Sequence, residues 1–449
     1  MKLKTFKKGV YPDEFKSLSD YKSIEKSPLP TEVFIPLQQH VGAACVPVVE
    51  KGMEVKTGQL IGKSGGFISS NIHASISGKV KTIERLPHPL GNNSLMINII
   101  GDGHDEWVEL PDSISDWENL TPEQINKIIL DAGIVGLGGA AFPTQVKLNP
   151  PKNKTIDTFI LNGCECEPYL TADHRIMVEH SEEVVLGLRI MMKALGVSRA
   201  IIGIEANKPD AIAALTKATE KFWGIIVQPL KVKYPQGAEK MLIDAVLNRK
   251  VPAGGLPMDV GVVVNNVGTA LAVAEAVTKR KPLIERVVTV TGQGVREPKN
   301  ILARIGTPFQ NLIDFCGGLT DDTVKVVMGG PMMGVAQASL AVPVIKATSG
   351  IVCLTDKIAV ERKEYPCIKC GACLHVCPMN LIPTRLARLS QFAKWDEAEQ
   401  YGIANCIECG SCAFICPAAI PLVHHIRIGK TRVAEIQRQK RSEKKAVSV

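Results

Sequence analysis

Two stretches in the carboxyl-terminal part of the chain share one cysteine spacing: CIKCGACLHVCP at residues 367–378 and CIECGSCAFICP at residues 406–417. Each reads C-x2-C-x2-C-x3-C-P. The short gaps let a tight loop bring three thiolates to one metal centre, and small residues between the cysteines allow that loop to close. The proline after each fourth cysteine breaks a helix and turns the chain away. The doubled spacing therefore predicts two metal centres in one small domain.

The spacing is typical of bacterial ferredoxins with two 4Fe–4S clusters, in which the fourth cysteine of each run ligates the other cluster. Structural zinc usually pairs two C-x2-C halves, and a disulfide framework is typical of exported chains. Neither alternative explains a triple-spaced run that occurs twice, so the chain is predicted to carry electrons. One cluster is expected on Cys367, Cys370, Cys373 and Cys416, and the other on Cys406, Cys409, Cys412 and Cys377.

The length of the chain and its apolar stretches limit the class of protein that it can be. The 449 residues are enough for roughly three or four domains. The first residues lack the apolar run of a secretory signal, and no stretch of about 18 apolar residues predicts a membrane span. We therefore expect a cytoplasmic protein that docks on a membrane partner.

The net charge of +8 lies largely between Arg427 and Lys445. Such a stretch can suit nucleic acid, an anionic membrane surface or an acidic electron carrier, but it is more often a solvated end. No nucleic-acid partner is predicted from it.

The pattern of glycine, proline and apolar residues divides the chain into five expected parts, a multidomain α/β arrangement. Residues 1–110 are an N-terminal segment and a small β-domain that resembles the barrel-sandwich, lipoyl-carrier-like fold. Because no lysine lies between Lys63 and Lys79, this domain is read as a packing module and not as a swinging carrier. The other parts are an α/β domain at 120–283, a β-grasp (SLBB-like) module at 284–350, the two-cluster ferredoxin domain at 354–428, and a basic tail at 429–449.

A glycine-rich loop, GLGGAAFP at residues 136–143, follows a helix that is capped at Thr121. Glycine lets a loop approach a planar ring or a phosphate closely. A P-loop would need a GK(S/T) ending, and a Rossmann fingerprint would follow a strand directly. The glycines alone leave a plain connecting loop as an equal alternative.

Polar residues at two predicted strand ends favour a ligand site. Asn162 to Glu167 follow one strand, and Asn265 and Asn266 follow another and open a helix. Sheets of this class bind ligands at the carboxyl ends of their strands, and a helix N-terminus can hold a phosphate.

The order and spacing of these residues resemble the FMN- and NADH-binding pattern of the flavin subunit of respiratory complex I. With the front β-domain, the β-grasp module and two clusters, the whole chain is similar to the C subunit of the Rnf complex, an ion-translocating ferredoxin:NAD oxidoreductase. The closer match lies in FKKGV at 6–10, PLQQHVGA at 36–43 and ECEPYLTADHR at 165–175. The positions expected to bind cofactor are Gly136, Gly138, Gly139, Ala140, Phe142, Lys147, Asn162, Glu165, Glu167, Tyr234, Gly237, Glu239, Asn265, Asn266 and Thr269.

The resemblance assigns these positions to two groups. The residues implied to line a non-covalent FMN are Gly138, Gly139, Asn162, Glu165, Gly237, Asn265, Asn266 and Thr269. The residues implied to contact NAD(H) are Phe142, Lys147, Glu167, Tyr234 and Glu239. Cys164 and Ala238 stand where the complex I pattern has acids, which removes negative charge beside the flavin.

The resemblance also implies a path and partners. Electrons would pass between NAD(H), FMN and the two clusters, because flavin exchanges both hydride and single electrons. The chain would lie on the cytoplasmic face of the membrane, contact the membrane-embedded and iron–sulfur subunits, and meet ferredoxin indirectly. No nucleophile or acid–base pair is predicted.

Two other functions fit parts of the pattern. One is a soluble flavin and iron–sulfur NADH-dependent reductase, such as a microcompartment cobalamin reductase. The other is a flavin-free module that only connects neighbouring electron carriers. The remaining cysteines are expected to be buried thiols: Cys45, Cys164, Cys166, Cys316 and Cys353.

Overall fold

The computed structural model describes residues 3–447. The first part of the chain, residues 3–26, contains a 3-10 turn at Lys16–Leu18 and the short strand β1 (Ile24–Lys26). β1 pairs in parallel with a strand at Lys299–Arg304. The N-terminal segment, expected beside the β-domain, therefore contributes a strand to a sheet whose other strands lie between residues 285 and 355.

The front β-domain has two facing sheets, in the orders β2-β8-β7-β4 and β3-β5-β6. Val33, Ile61 and Ile97 are fully buried between them. Alternating apolar residues and tight glycine turns produce this small barrel sandwich. Its strands are β2 (Glu32–Pro36), β3 (Val46–Pro47), β4 (Glu54–Val55), β5 (Leu60–Lys63), β6 (Ile72–His73), β7 (Gly78–Pro87) and β8 (Asn93–Gly101).

The α/β domain is built on a four-stranded parallel sheet. It begins at the predicted capping box, in which the Gln124 backbone N–H donates to Thr121 Oγ1 (3.3 Å) and the Thr121 backbone N–H donates to Gln124 Oε1 (2.7 Å). Its elements are α1 (Pro122–Asp131), α2 (Thr144–Lys147), β9 (Thr158–Gly163), α3 (Ala172–Glu179), α4 (Ser181–Leu195), β10 (Ala200–Glu205), α5 (Pro209–Thr219), β11 (Ile225–Leu230), α6 (Glu239–Leu247), β12 (Val262–Asn266) and α7 (Val267–Thr278).

The strand order of this sheet is β11-β10-β9-β12. The chain moves outward from β9 to β11 and then returns to the other side of β9. A crevice forms where the order reverses, outside the carboxyl ends of β9 and β12. The predicted strand-end residues therefore meet at this crevice.

The β-grasp module forms a six-stranded sheet in the order β1-β14-β13-β17-β15-β16, with one helix packed on it. Its last strand pairs with both β13 and β15, so the module extends beyond the expected end at residue 350. Its elements are β13 (Glu285–Thr291), β14 (Lys299–Arg304), α8 (Phe309–Phe315), β15 (Thr323–Met328), β16 (Val335–Ala336) and β17 (Gly350–Thr355).

The cysteine-rich domain is helical. The predicted tail is not a separate part, because helix α13 crosses the expected boundary at 428/429 without a break. Gly429 lets α13 approach α10 closely, since an added Cβ would lie 2.0 Å from Ser390 Oγ, and Val433 is buried. Residues 448 and 449 of the predicted tail lie outside the described residues. The helices are α9 (Ala372–Val376), α10 (Pro383–Gln391), α11 (Trp395–Gln400), α12 (Ser411–Phe414) and α13 (Leu422–Val447).

A buried lysine connects three domains. Lys346, 1% exposed, donates to the backbone oxygens of Asn71 in the front β-domain and Gly133 before the glycine-rich loop, each at 2.7 Å. Burial lowers the pKa of Lys346 to about 8. The front β-domain is thus held close to the start of the glycine-rich loop. Among residues 3–447, no helix combines the length and apolar character that crossing a membrane requires.

Candidate functional site: a crevice beside two cysteine-lined cavities

The glycine-rich loop is fixed at its base and open at its tip. The Gly136 backbone N–H donates to the Phe142 carbonyl (2.9 Å), and the Leu137 backbone N–H donates to Thr269 Oγ1 (2.9 Å). Gly138 and Gly139 at the tip are exposed, as is Ala140 after them. Gly139 has φ +104°, with no other group within 4 Å of the position of a Cβ. The loop therefore presents bare backbone to the crevice.

Asn162 and Asn266 are register partners at the ends of β9 and β12. Asn266 Oδ1 accepts hydrogen bonds from the backbone N–H groups of Gly268 (2.8 Å) and Thr269 (3.3 Å), which caps α7. The neighbouring Asn265 is 4% exposed, and its Nδ2 has no hydrogen-bond partner among the described residues. A buried amide donor without a partner is costly in a folded protein. Asn265 is therefore suited to a bound polar group.

A turn around Gly237 closes another side of the crevice. Asn162 Nδ2 donates to the Gly237 carbonyl (2.8 Å), and the Gly237 backbone N–H donates to Cys166 Sγ (3.3 Å). A Cβ on Gly237 would lie 2.3 Å from the Cys164 carbonyl. Only glycine allows this close approach of two backbones.

Glu165 has a local structural role. Its two carboxylate oxygens accept hydrogen bonds from the backbone N–H groups of Asp173 (2.9 Å) and His174 (3.1 Å), in the first turn of α3. The Thr269 hydroxyl likewise accepts a hydrogen bond from the backbone of the glycine-rich loop. Both residues, expected to line the FMN, fix protein elements that border the crevice.

The residues expected to contact the nucleotide form two groups. Lys147 Nζ pairs with Glu239 Oε1 (2.8 Å) and donates to the Val264 carbonyl (3.0 Å), at a half-exposed edge near Asn265. Phe142 is half-buried in the glycine-rich loop.

Glu167 and Tyr234 lie on the other side of the Gly237 turn. Tyr234 Oη is 3.4 Å from Glu167 Oε1, and the Met332 backbone N–H donates to Glu167 Oε2 (3.0 Å). Burial raises the pKa of Glu167 to about 7 and also raises the pKa of the Tyr234 hydroxyl. These two side chains face the β-grasp module and the cysteine-rich domain.

Sequence reasoning missed two residues. Asp173 Oδ2 accepts from Asn266 Nδ2 (2.6 Å), so Asp173 joins the first turn of α3 to the end of β12. Burial, and then the charge of Glu165, raise the pKa of Asp173 to about 7. Arg286 Nη2 donates to the Leu137 carbonyl (3.3 Å) from the β-grasp module. Asp173 could have been found from its place in a helix first turn after the strand-end residues, whereas nothing in the sequence near Arg286 marked it.

The eight cysteines of the doubled run line two separate cavities. Cys377 lines one cavity with Cys406, Cys409 and Cys412. The residues of the other cavity include Cys367, Cys370, Cys373 and Cys416. We call these the inner set and the outer set. The fourth cysteine of each run thus lies with the other run, as the ferredoxin rule expects.

The donor chemistry fits iron–sulfur clusters. Among residues 3–447, no three metal-ligating side chains converge tightly enough for a single ion. Four thiols around each cavity suit a larger, thiolate-held cluster. The inner set lies against the α/β domain, where Cys409 packs in one buried group with Tyr234 and Val10. The outer set faces solvent, with Cys367 and Cys370 exposed.

The other five cysteines form no disulfide. Four are buried, as predicted, whereas Cys166 is half-buried beside Gly237.

Comparison with known families identifies each part of the chain. Residues 4–104 match the RnfC barrel sandwich hybrid domain, and residues 129–275 match the Nuo51 FMN-binding domain. Residues 287–336 match the SLBB domain, and residues 366–420 match the 4Fe-4S dicluster domain. The chain is therefore a flavoprotein of the electron-transfer class that also carries iron–sulfur clusters. The predicted fold class is confirmed, as are the predicted FMN and 4Fe–4S clusters.

Two relatives match over nearly their full length. The C subunit of the proton-translocating ferredoxin:NAD(+) oxidoreductase complex of Clostridium ljungdahlii is 54% identical, over 96% of this chain and 94% of the relative. The C subunit of the Na(+)-translocating complex of Acetobacterium woodii is 47% identical, over 97% and 98%. The chain belongs to the family formed by the C subunits of ion-translocating ferredoxin:NAD(+) oxidoreductase complexes, as expected from the sequence.

A solved structure shares the fold. The NAD+-reducing NiFe-hydrogenase in its H2-reduced state aligns with a TM-score of 0.50 at 18% identity, over 71% of this chain and 63% of the hydrogenase chain.

Proposed function

We propose that this chain is the peripheral NAD(H)-oxidising and NAD(H)-reducing subunit of a membrane-bound, ion-translocating ferredoxin:NAD oxidoreductase complex, on the cytoplasmic face of the membrane. The names of the relatives support the complex and its substrates. The observation that carries the proposal is the packing of Cys409, of the inner set, against Tyr234. Tyr234 lies near the crevice at the carboxyl ends of β9 and β12, which we call the flavin crevice. This packing supports electron exchange between the proposed cluster site and the proposed flavin site.

Some of the residues proposed to hold FMN offer groups that the protein does not use itself. Gly138, Gly139 and Ala140 form the exposed tip of the glycine-rich loop, Gly136 lies at its base, and Asn265 supplies a buried amide that has no partner among the described residues. Asn162, Glu165, Asn266, Gly237 and Thr269 shape the walls through the hydrogen bonds described above. When bound, FMN and the clusters supply the conversion between hydride transfer and single-electron transfer.

The proposed nucleotide contacts are Phe142, Lys147, Glu167, Tyr234 and Glu239. Lys147 carries a cation at the edge of the crevice and can pair with a phosphate. Glu167 and Tyr234 are fixed by the loop that contains Met332. The two groups border the crevice from either side of Gly237.

The cysteines are proposed to ligate two 4Fe–4S clusters in the crossed arrangement. The inner set would serve the cluster nearer the flavin site, since it lies against the α/β domain. The outer set would serve the cluster nearer the partner subunits, since Cys367 and Cys370 are exposed. Ferredoxin would then exchange electrons with this chain only through other subunits.

Purification without oxygen tests the assignment. We expect about one FMN and about eight iron atoms per chain, and NADH should bleach the flavin absorbance. Absence of flavin after reconstitution would refute the proposal, because a flavin-free wiring module would then be the better description. Co-purification with membrane-embedded subunits from native membranes would distinguish a member of the complex from a soluble reductase.

A further inference from the structure

Residues 4–16 make hydrogen bonds with both the α/β domain and the cysteine-rich domain. We call these residues the N-terminal strap. On the α/β side, the Lys231 backbone N–H donates to the Lys4 carbonyl (3.0 Å). Val10 and Tyr234 exchange both backbone hydrogen bonds, at 2.8 and 2.9 Å. The strap therefore extends along the stretch that leads from β11 to the Gly237 turn.

On the other side, the strap binds the carboxyl end of α9. The Gly9 backbone N–H donates to the Val376 carbonyl, and Lys8 Nζ donates to the Leu374 carbonyl, each at 3.0 Å. These two carbonyls lie between Cys373 of the outer set and Cys377 of the inner set. One short segment of the strap thus holds the helix that contains Cys373 of the outer set and is followed directly by Cys377 of the inner set.

The strap is tightly enclosed at Gly9. Gly9 has φ +84°, and an added Cβ would lie 2.5 Å from the Tyr234 carbonyl and 2.8 Å from the Phe6 ring. The backbones of Gly9, Tyr234 and Val376 are therefore locked together without an intervening side chain. A substitution here would force the two domains apart or displace the strap.

The covalent link to the cysteine-rich domain does not fix that domain. Residues 361–370 are exposed and contain no helix or strand. One direct hydrogen bond runs from the Gly254 backbone N–H to Asn405 Oδ1 (2.9 Å). Met332 of the β-grasp module also packs against Gly410. The strap adds hydrogen bonds next to the flavin crevice itself.

We propose that the N-terminal strap is a positioning element that sets the distance between the flavin crevice and the inner cysteine set. This inference rests on the proposed function. Electron transfer slows steeply as the separation between two centres increases, so a small displacement of α9 has a large effect on rate. Lys8 and Gly9 are the residues that carry this role, through the Leu374 and Val376 carbonyls at the end of α9.

The test compares Lys8→Ala and Gly9→Ala with Lys7→Ala, a change at an exposed neighbouring lysine. NADH is mixed rapidly with each oxygen-free holoprotein, flavin bleaching is followed by absorbance, and cluster reduction by freeze-quench electron paramagnetic resonance. FMN and iron contents should stay at the wild-type values in all three variants, and the rate of flavin bleaching should stay at the wild-type value in Lys8→Ala and Lys7→Ala. In Gly9→Ala, whose new methyl group meets the Tyr234 carbonyl, the rate of cluster reduction is compared with that variant's own rate of flavin bleaching. Cluster reduction should slow at least about tenfold in Gly9→Ala, less in Lys8→Ala, and not in Lys7→Ala.

Hydrogen–deuterium exchange gives a readout independent of electron transfer. In Gly9→Ala, exchange at residues 230–237 and 372–377 should accelerate, whereas exchange at residues 262–278 should not. Wild-type rates of both cluster reduction and exchange in Gly9→Ala and Lys8→Ala would overturn the positioning role. Loss of flavin or iron in both variants would also overturn it, because the strap would then be needed for cofactor retention. A wild-type chain whose flavin NADH does not bleach would instead refute the proposed function.

Discussion

The hydroxyl of Thr269 should control FMN affinity through the glycine-rich loop. Thr269 is fully buried, and its Oγ1 accepts the Leu137 backbone N–H at 2.9 Å. Thr269→Val keeps the shape of the side chain but leaves that buried donor without a partner, which costs about 1–3 kcal/mol. Because the ordered loop is proposed to bind FMN, this cost should weaken FMN binding about 5- to 150-fold.

The assay is titration of the FMN-depleted chain with FMN, followed by quenching of flavin fluorescence. Thr269→Ser is the matched control, because it keeps the hydroxyl and should bind within about threefold of wild type. Unchanged affinity in Thr269→Val would refute the reasoning. Equal weakening in both variants would show that the methyl group matters and not the hydrogen bond.

Two further predictions concern the clusters and the buried acid. Cys377→Ala should lower iron from about eight to about four atoms per chain and remove the inner-set cluster signal, whereas Cys416→Ala should remove the outer-set signal; the opposite losses would refute the crossed ligation. Glu167→Gln should weaken NAD(H) binding without loss of FMN, and loss of both would contradict the division of roles.

Glu167→Gln should also change how the stability of the chain depends on pH. The pKa of Glu167 is raised to about 7 in the folded chain, so the folded state holds a proton that the unfolded state releases. Stability should therefore fall as pH rises from about 4.5 to about 7 and level off above it, and Glu167→Gln should remove up to about 3 kcal/mol of that loss. Thermal unfolding of the wild type and of Glu167→Gln at about pH 5 and about pH 8.5 tests this prediction. An equal change in stability between the two pH values in both proteins would contradict it.

The sequence predicted the elements whose signals are local. The capping box at Thr121, the alternation of strands and helices, and the cysteine spacing each depend on residues a few positions apart, and the structure confirms these elements. The strand-end residues met at one crevice because the carboxyl ends of neighbouring parallel strands lie together. The assignment of individual side chains to FMN or nucleotide stays a prediction.

Other features depended on distant contacts that no spacing reveals. Arg286 holds the glycine-rich loop from a strand about 150 residues later, as its separation of 149 positions from Leu137 shows. The basic stretch after residue 428 looked like a tail because its charges dominate, although buried Val433 and the close approach at Gly429 continue the helix. In the sequence, FKKGV at 6–10 is recognisable only as a family signature, because the hydrogen bonds of the strap are made with two other domains.

The position of the strap has a consequence for biosynthesis. Lys8 and Leu374 are 366 positions apart, so at a synthesis rate of about 5–20 residues per second the strap waits about 20–70 s for its partner helix. During that time the front, α/β and β-grasp domains can fold as they emerge, while Val10 still lacks Cys409, with which it packs in the finished molecule. The contacts of Lys8 and Gly9 with α9 can therefore form only after the cysteine-rich domain has left the ribosome.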